Sequence, residues 1–136
     1  NKAMRPFDKH RDGIVLAEGA AAVVLERRES AIARGAPIYA EVMGCSSASE
    51  GLNPLMLDQE GIALSRTVAG ALADAGLQPG DIDHIQSHGV SLAMYDRCET
   101  SAYKRVFAEH AYRIPISAVK SMVGQAYSAG GMLGLG

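Results

Sequence analysis

Residues Lys120 to Gly131 read "KSMVGQAYSAGG" and follow the apolar run "IPISAV" (114–119). A charge at the end of a predicted strand, followed by small residues, reads as the entrance to a packed helix. Glycine costs about 1 kcal/mol relative to alanine in an exposed helix, so the segment after Gln125 is expected to be a helix buried on all sides. Working upstream, "DIDHIQSHG" (81–89) reads as a strand. "MYDRCETSAYKRVF" (94–107) reads as a helix with Tyr95, Cys98, Ala102 and Phe107 inward. A strand, a helix, a second strand and a second helix then follow one another. That alternation predicts an α/β layered fold with a mainly parallel core. In such sheets functional groups gather at the C-terminal ends of strands. The two strand ends here carry "SHG" and "KSMVGQ", which should be neighbours in space.

The rest of the chain extends the pattern. Ile14–Leu16 and Ala20–Leu25 are two β-rich runs across a Glu18–Gly19 break, which predicts a hairpin or paired strands. "ERRESAIARG" (26–35) is a short charged helix closed by Gly35, and "PIYAEVMG" (37–44) is a further strand with Ile38, Ala40 and Val42 on one face. Glu50 to Asp58 is loop-like, holding Gly51, Asn53 and Pro54. Asp58 is placed to cap a helix over 59–76, whose Leu64, Val68, Ala71 or Leu72, and Ala75 share a stripe.

Composition narrows the function classes. The chain has 136 residues, enough for one domain with a core. Its 13 Lys and Arg against 15 Asp and Glu are interspersed, so no basic stripe exists to follow a phosphate backbone, and nucleic acid is not an expected partner. No apolar run approaches a membrane span and no signal peptide opens the chain. Cys45 and Cys98 form no metal-type pair, so no metal is expected and a reduced, cytoplasmic setting is the simplest inference. The start at "NKAMRPFD" and the stop within "GMLGLG" suggest a piece of something longer.

Candidate chemistry-bearing residues each have an ordinary reading as well. His88, at a strand end before Gly89, reads either as a turn-ordering histidine or as a functional one. His10, His84 and His110 stand in polar surroundings and read as solvated. Asp96 and Glu99 lie one helical turn apart; such pairs are ordinarily exposed, or in Asp96 a helix cap. Lys120 reads as a solvated strand-end charge, or as half of a buried ion pair with Glu99. "GCSSAS" (44–49) imitates a nucleophile elbow, yet nothing local supplies a base for Cys45, which reads as a small strand-end residue; Cys98 reads as core.

Taken together, "RPFDKHRDGIVLAEGAAAVVLERRESAIARGAPIYAEVMG", "ADAGLQPGDIDHIQSHG", "DRCETSAYKRVFAEHAYRIPIS" and "KSMVGQAYSAGG" resemble the β-ketoacyl-acyl carrier protein synthases. These are condensing enzymes of fatty acid and polyketide synthesis. The resemblance runs over essentially the whole chain and implies a thiolase-like fold of two α/β halves packed as five layers. Residues 1–34 would end the first half and residues 35–136 would form most of the second. It implies a decarboxylative Claisen condensation between an acyl thioester and malonyl on an acyl carrier protein. The carrier's phosphopantetheine arm supplies the handle, and no cofactor of the enzyme's own is implied. An acyl carrier protein and a homodimer or ketosynthase heterodimer are the implied partners.

By the same resemblance, the family's H-G-T-x-T histidine corresponds to His88, and the histidine of K-S-x-x-G-H corresponds to Gln125. The Lys and Glu of the network behind them correspond to Lys120 and Glu99, and the family's Asp to Asp96. The family's nucleophilic Cys lies upstream of these motifs, so Cys45 is not it. The departures cluster: both arm-holding threonines are replaced, by Val90 and Leu92, the G-E-G motif reads Ala17-Glu18-Gly19, and the second histidine is Gln125. An amide still offers two N–H donors but cannot titrate. Chain-starting relatives and thiolases carry an Asn beside their His. "AYSAGG" is also similar to the ending found in chain length factors, the non-catalytic partners of ketosynthases, although those usually lose the first histidine too.

Overall fold

A computed structural model describes residues 3–51 and 57–135. Asn53 and Pro54, on which the loop reading of 50–58 rests, lie outside them. Helix α1 (Arg28–Ala33) ends at Gly35, whose φ of +68° lets the Ala36 N–H turn back to the Ala31 carbonyl. Helix α2 (Ile62–Ala75) starts where Asp58 predicts a cap: its carboxylate accepts the N–H groups of Glu60 and Ile62 at 3.0 and 2.6 Å. Gly76, with φ +70°, closes it.

Strand β1 (Ile85–Gln86) pairs in parallel with β2 (Ile116–Ser117), Ile85 opposite Ile116. Helix α3 (Ala93–Phe107) forms the crossover between them, as parallel pairing requires. The core lies between α2, α3 and this pair: Leu72, Tyr103, Phe107 and Ile114 are buried, with Val68, Leu77, Ile82 and Ile85 packed around them. Of the inward stripe expected on α3, Cys98, Ala102 and Phe107 are buried. Tyr95 is not; at 38% exposure it turns toward a surface cavity.

Other expectations need correcting. Among the described residues no ladder engages 20–25 or 38–42. Leu16 makes a single parallel bridge to Gln125, while Val24 and Tyr39 are 92% and 98% exposed. Residues that favour strands become strands only against a second edge, which these segments do not have here. After β2 the chain forms the single turn α4 (Lys120–Val123), then a 3₁₀ turn (Tyr127–Ala129) and α5 (Gly130–Leu133). The continuous buried helix expected there is thus two short pieces. Gly130 is buried, but Tyr127, Ser128, Gly131 and Met132 are exposed. The first piece opens on Tyr127, whose φ of +46° is foreign to a right-handed helix and stops the helix from running on from α4.

Gly61 sets how closely α2 approaches α3. Its φ is +66°, and a Cβ there would lie 2.5 Å from the Cys98 carbonyl oxygen and 2.8 Å from the Ala102 nitrogen, both backbone atoms that cannot swing away. Gly61→Ala is therefore expected to destabilise the intact protein by about 2–4 kcal/mol. Urea denaturation measures it, and a loss below about 0.5 kcal/mol would show that the helices can part without cost.

Candidate active site

The turn after β1 carries His88, Gly89, Val90 and Ser91. Two constraints shape it. Gly89 has φ +41°, and a Cβ there would come within 2.6 Å of Ala118 Cβ and 3.2 Å of Pro6 Cβ. Ser91 adopts φ +65°, uncommon for a residue other than glycine, and is fully buried. The N-terminal segment holds it there: the Arg5 N–H donates to Ser91 Oγ and the Gly13 N–H to the Ser91 carbonyl, both at 3.1 Å.

Asp96, in the first turn of α3, is 1% exposed and works from inside. Its Oδ2 accepts the Phe7 N–H at 2.8 Å, its Oδ1 accepts the Val90 N–H at 3.2 Å, and Arg11 Nε stands 3.4 Å away. It caps no helix end; it ties the N-terminal segment to the turn that carries His88. One turn on, Glu99 is also buried. Its Oε1 accepts the Gly89 N–H at 2.9 Å and its Oε2 the Tyr103 hydroxyl at 3.0 Å. Burial pushes the Glu99 carboxyl above its ordinary range, against the pull of these donors.

Lys120 is 5% exposed, and its buried ammonium reaches His88 rather than Glu99. Nζ donates to the His88 carbonyl at 2.5 Å and lies 3.2 Å from His88 Nδ1. The direct Lys120–Glu99 ion pair expected from sequence is absent among the described residues. Both Glu99 oxygens are already taken, and His88 offers the ammonium two acceptors. Burial pushes the Lys120 pKa down, and the charge of Glu99 offsets part of that.

Facing an ammonium, Nδ1 must be the acceptor, so the imidazole proton sits on Nε2. Although His88 is exposed at the cavity mouth, its pKa is lowered from its ordinary 6.5, first by partial desolvation of the ring and then by the Lys120 charge. Near neutral pH the side chain is an uncharged Nε2–H donor. Gln125 sits past α4, with its N–H on the Val15 carbonyl and its carbonyl on the Ala17 N–H. It is therefore held by the bridge to Leu16 rather than by a strand end of its own. The residue is 7% exposed, and among the described residues Oε1 has no hydrogen-bond partner.

His88 and Gln125 line one cavity of about 460 Å³, together with Val90, Leu92, Tyr95 and Tyr127. Four of these six correspond to positions singled out in the sequence. Tyr95, whose ring centroid is 6.3 Å from that of His88, reads there as core rather than as part of the site, and Tyr127 is not singled out. Tyr103 was missed as well, though its place four residues after Glu99 on a helix was the available signal. Of the other histidines, His84 Nε2 meets Ser117 Oγ at 2.8 Å, and His110, expected in solvent, is half-buried with Nε2 2.9 Å from the Ile82 carbonyl. Cys45 is exposed and Cys98 buried. Among the described residues no three His, Cys, Asp or Glu side chains gather as a metal site, and no helix is long and apolar enough to cross a membrane.

Comparison with known proteins follows the same lines. The chain matches the family described as "Beta-ketoacyl synthase, C-terminal domain" over residues 39–136, and "Beta-ketoacyl synthase, N-terminal domain" over residues 1–31. It is 42% identical over 132 residues to the 3-oxoacyl-acyl-carrier-protein synthase 2 of Coxiella burnetii, covering 97% of this chain and 32% of that protein. It is 41% identical over 133 residues to the tetracenomycin polyketide synthase ketoacyl synthase alpha subunit of Streptomyces glaucescens, covering 98% of this chain and 31% of that one. Among solved structures, one is a type II polyketide acyl-carrier protein in complex with its ketosynthase bound to the hexaketide. It superposes with a TM-score of 0.93 at 40% identity, over 96% of this chain and 32% of the other. The ishigamide ketosynthase/chain length factor superposes with a TM-score of 0.91 at 38% identity, over 98% and 32%. The chain spans about a third of the length of these relatives.

The Lys120–His88 contact has a titration signature. Because the folded-state pKa of His88 lies below 6.5, the unfolded chain takes up the proton first. The His88 contribution to stability is thus complete above pH 6.5 and falls as pH drops toward the folded value. Lys120→Met removes the second of the two causes and is expected to raise the His88 pKa, while partial desolvation still holds it below 6.5. Histidine NMR titration of the intact protein measures this. An unchanged or lower value would mean that the ammonium does not act on the ring.

Proposed function

Since the chain belongs to the β-ketoacyl synthase family and shares its thiolase-like α/β fold, we propose that it is part of a condensing enzyme. The reaction is decarboxylative Claisen condensation of an acyl thioester with malonyl-acyl carrier protein, in fatty acid or polyketide synthesis. Residues 1–34 end the N-terminal half and residues 35–136 belong to the C-terminal half. The observation that carries the proposal is one cavity lined by two N–H donors, His88 and Gln125, the first with its tautomer set by a buried ammonium.

In this reading the malonyl thioester lies with its carbonyl oxygen toward His88 Nε2 and Gln125 Nε2. Cleavage of the C–C bond to the carboxylate leaves its electron pair on the thioester as an enolate, and carbon dioxide departs. The two donors stabilise the oxygen on which charge develops. The enolate carbon then attacks the acyl carbonyl, held on a cysteine outside this chain, and the thiolate leaves. Lys120 holds the His88 ring, Glu99 holds the Gly89 N–H, and Asp96 supports the turn. Val90 and Leu92 line the channel for the carrier's phosphopantetheine arm, so the arm meets apolar walls; no cofactor of the enzyme's own takes part. The partners are an acyl carrier protein and a second ketosynthase-type subunit, identical or not, in the cytoplasm.

One observation favours a second reading. Gln125 cannot titrate, and a relative of similar fold is a ketosynthase/chain length factor. On that reading the chain belongs to a non-catalytic partner subunit. Carbon dioxide release and condensation product, measured for the intact protein alone and with a partner ketosynthase, separate the two. His88→Ala is expected to remove activity by about 100- to 1000-fold, the scale for loss of one such donor. Gln125→His is expected to raise decarboxylation. A wild type inert alone, with both variants leaving the paired complex unchanged, would establish the partner-subunit reading.

A further inference from the structure

The carbonyl oxygen of Gln125 is a buried acceptor with no partner, which is costly unless something meets it. Lys120 carries a spare donor beside the same glycine as that oxygen, Gly130, although no hydrogen bond joins the two groups in this structure. Two of that ammonium's three N–H groups are directed at His88, and among the described residues the third is unassigned. Gly130 lies beside both groups. A Cβ built on it would stand 3.7 Å from both Lys120 Nζ and Gln125 Oε1, and 3.1 Å from Lys120 Cε. The backbone of Gly130 is right-handed helical, so its lack of a side chain serves space rather than conformation. The sense of the amide is also decided by charge. With Oε1 toward the ammonium the contact is attractive; turned over, it would press N–H groups against a cation.

We propose that in the intact protein Lys120 orients the Gln125 amide as well as the His88 ring, its third N–H closing on Gln125 Oε1 through the gap left by Gly130. Nε2 of Gln125 then faces the cavity, and both donors answer to one buried cation. This rests on the reading of His88 and Gln125 as donors, and it makes Lys120 a positioning residue for a pair. Where an imidazole must be oriented by its second nitrogen, an amide is oriented by its oxygen, and the same ammonium suits both.

The test is a cycle on the intact protein, with decarboxylation of malonyl-carrier protein measured for wild type, Lys120→Met, Lys120→Arg, Gln125→Ala and the Lys120→Met/Gln125→Ala double variant. Lys120→Met is expected to lower kcat with little change in KM. In the Gln125→Ala background that loss should shrink by at least about threefold, because only His88 remains to be oriented. Lys120→Arg should retain part of the rate. Equal losses in both backgrounds, or an Arg variant as poor as Met, overturn the proposal. A Gln125→Ala variant as active as wild type overturns it together with the donor role of Gln125. A crystal structure of the intact protein gives a readout that needs no turnover. Lys120 Nζ within about 3.2 Å of Gln125 Oε1 supports the arrangement, and a separation beyond about 4 Å overturns it.

Discussion

The buried carboxylate of Asp96 is the contact on which the rest of the site depends. It takes a backbone N–H from Phe7 and another from Val90, with Arg11 beside it. A carboxyl group removed from water is stable only when its oxygens are met, and here backbone amides meet them. The Arg11 guanidinium also donates to the Asp8 and Ala93 carbonyls, so the N-terminal segment is pinned both to itself and to the start of α3. Without this the turn at Gly89–Ser91, which demands a positive φ at both ends, would have no reason to hold His88 where Lys120 can reach it. The strain of Ser91 is offset by contacts from a segment far away in sequence.

Three buried ionisable groups stand in succession behind the cavity: Asp96, Glu99 and Lys120. Two bind backbone N–H groups of the turn, and the third binds the carbonyl and ring nitrogen of His88. Each thus acts on the main chain or on the imidazole rather than chiefly on another charge. That division explains why the expected Lys120–Glu99 pair is replaced by a chain running Glu99, Gly89, His88, Lys120. A direct pair would satisfy two charges; the chain satisfies them and fixes the geometry of the residue between them.

Much of the fold was legible because local signals agreed. Helices α2 and α3 have periodic apolar stripes with clear stops, and the strand–helix–strand order around α3 yields a parallel pair. The strands read over 20–25 and 38–42 failed for the opposite reason: strand propensity is a statement about a partner, and a single run of sequence does not contain one. Tyr95 illustrates a subtler limit. A helical stripe identifies the buried side of α3 but not the point near its start where that side opens into a cavity. The polar roles of Asp96 and Glu99 could be drawn from resemblance, but their partners Phe7, Val90, Gly89 and Tyr103, apart from the i, i+4 Tyr103, are set by tertiary placement.

The Phe7–Asp96 hydrogen bond joins residues 89 positions apart. A ribosome adding about 5–20 residues per second therefore makes Phe7 on the order of ten seconds before Asp96 exists. Throughout that interval the segment around Arg5–Gly13 lacks the acceptor that shapes it, and the turn after β1, once made, still waits for the carboxylates that accept its own amides. The backbone ties of the turn are thus completed only as Asp96 and Glu99 are synthesised, and Lys120, which donates to His88, arrives last of the three. A chaperone or neighbouring subunit that shields the early segment would be protecting the site before any of its functional side chains has been made.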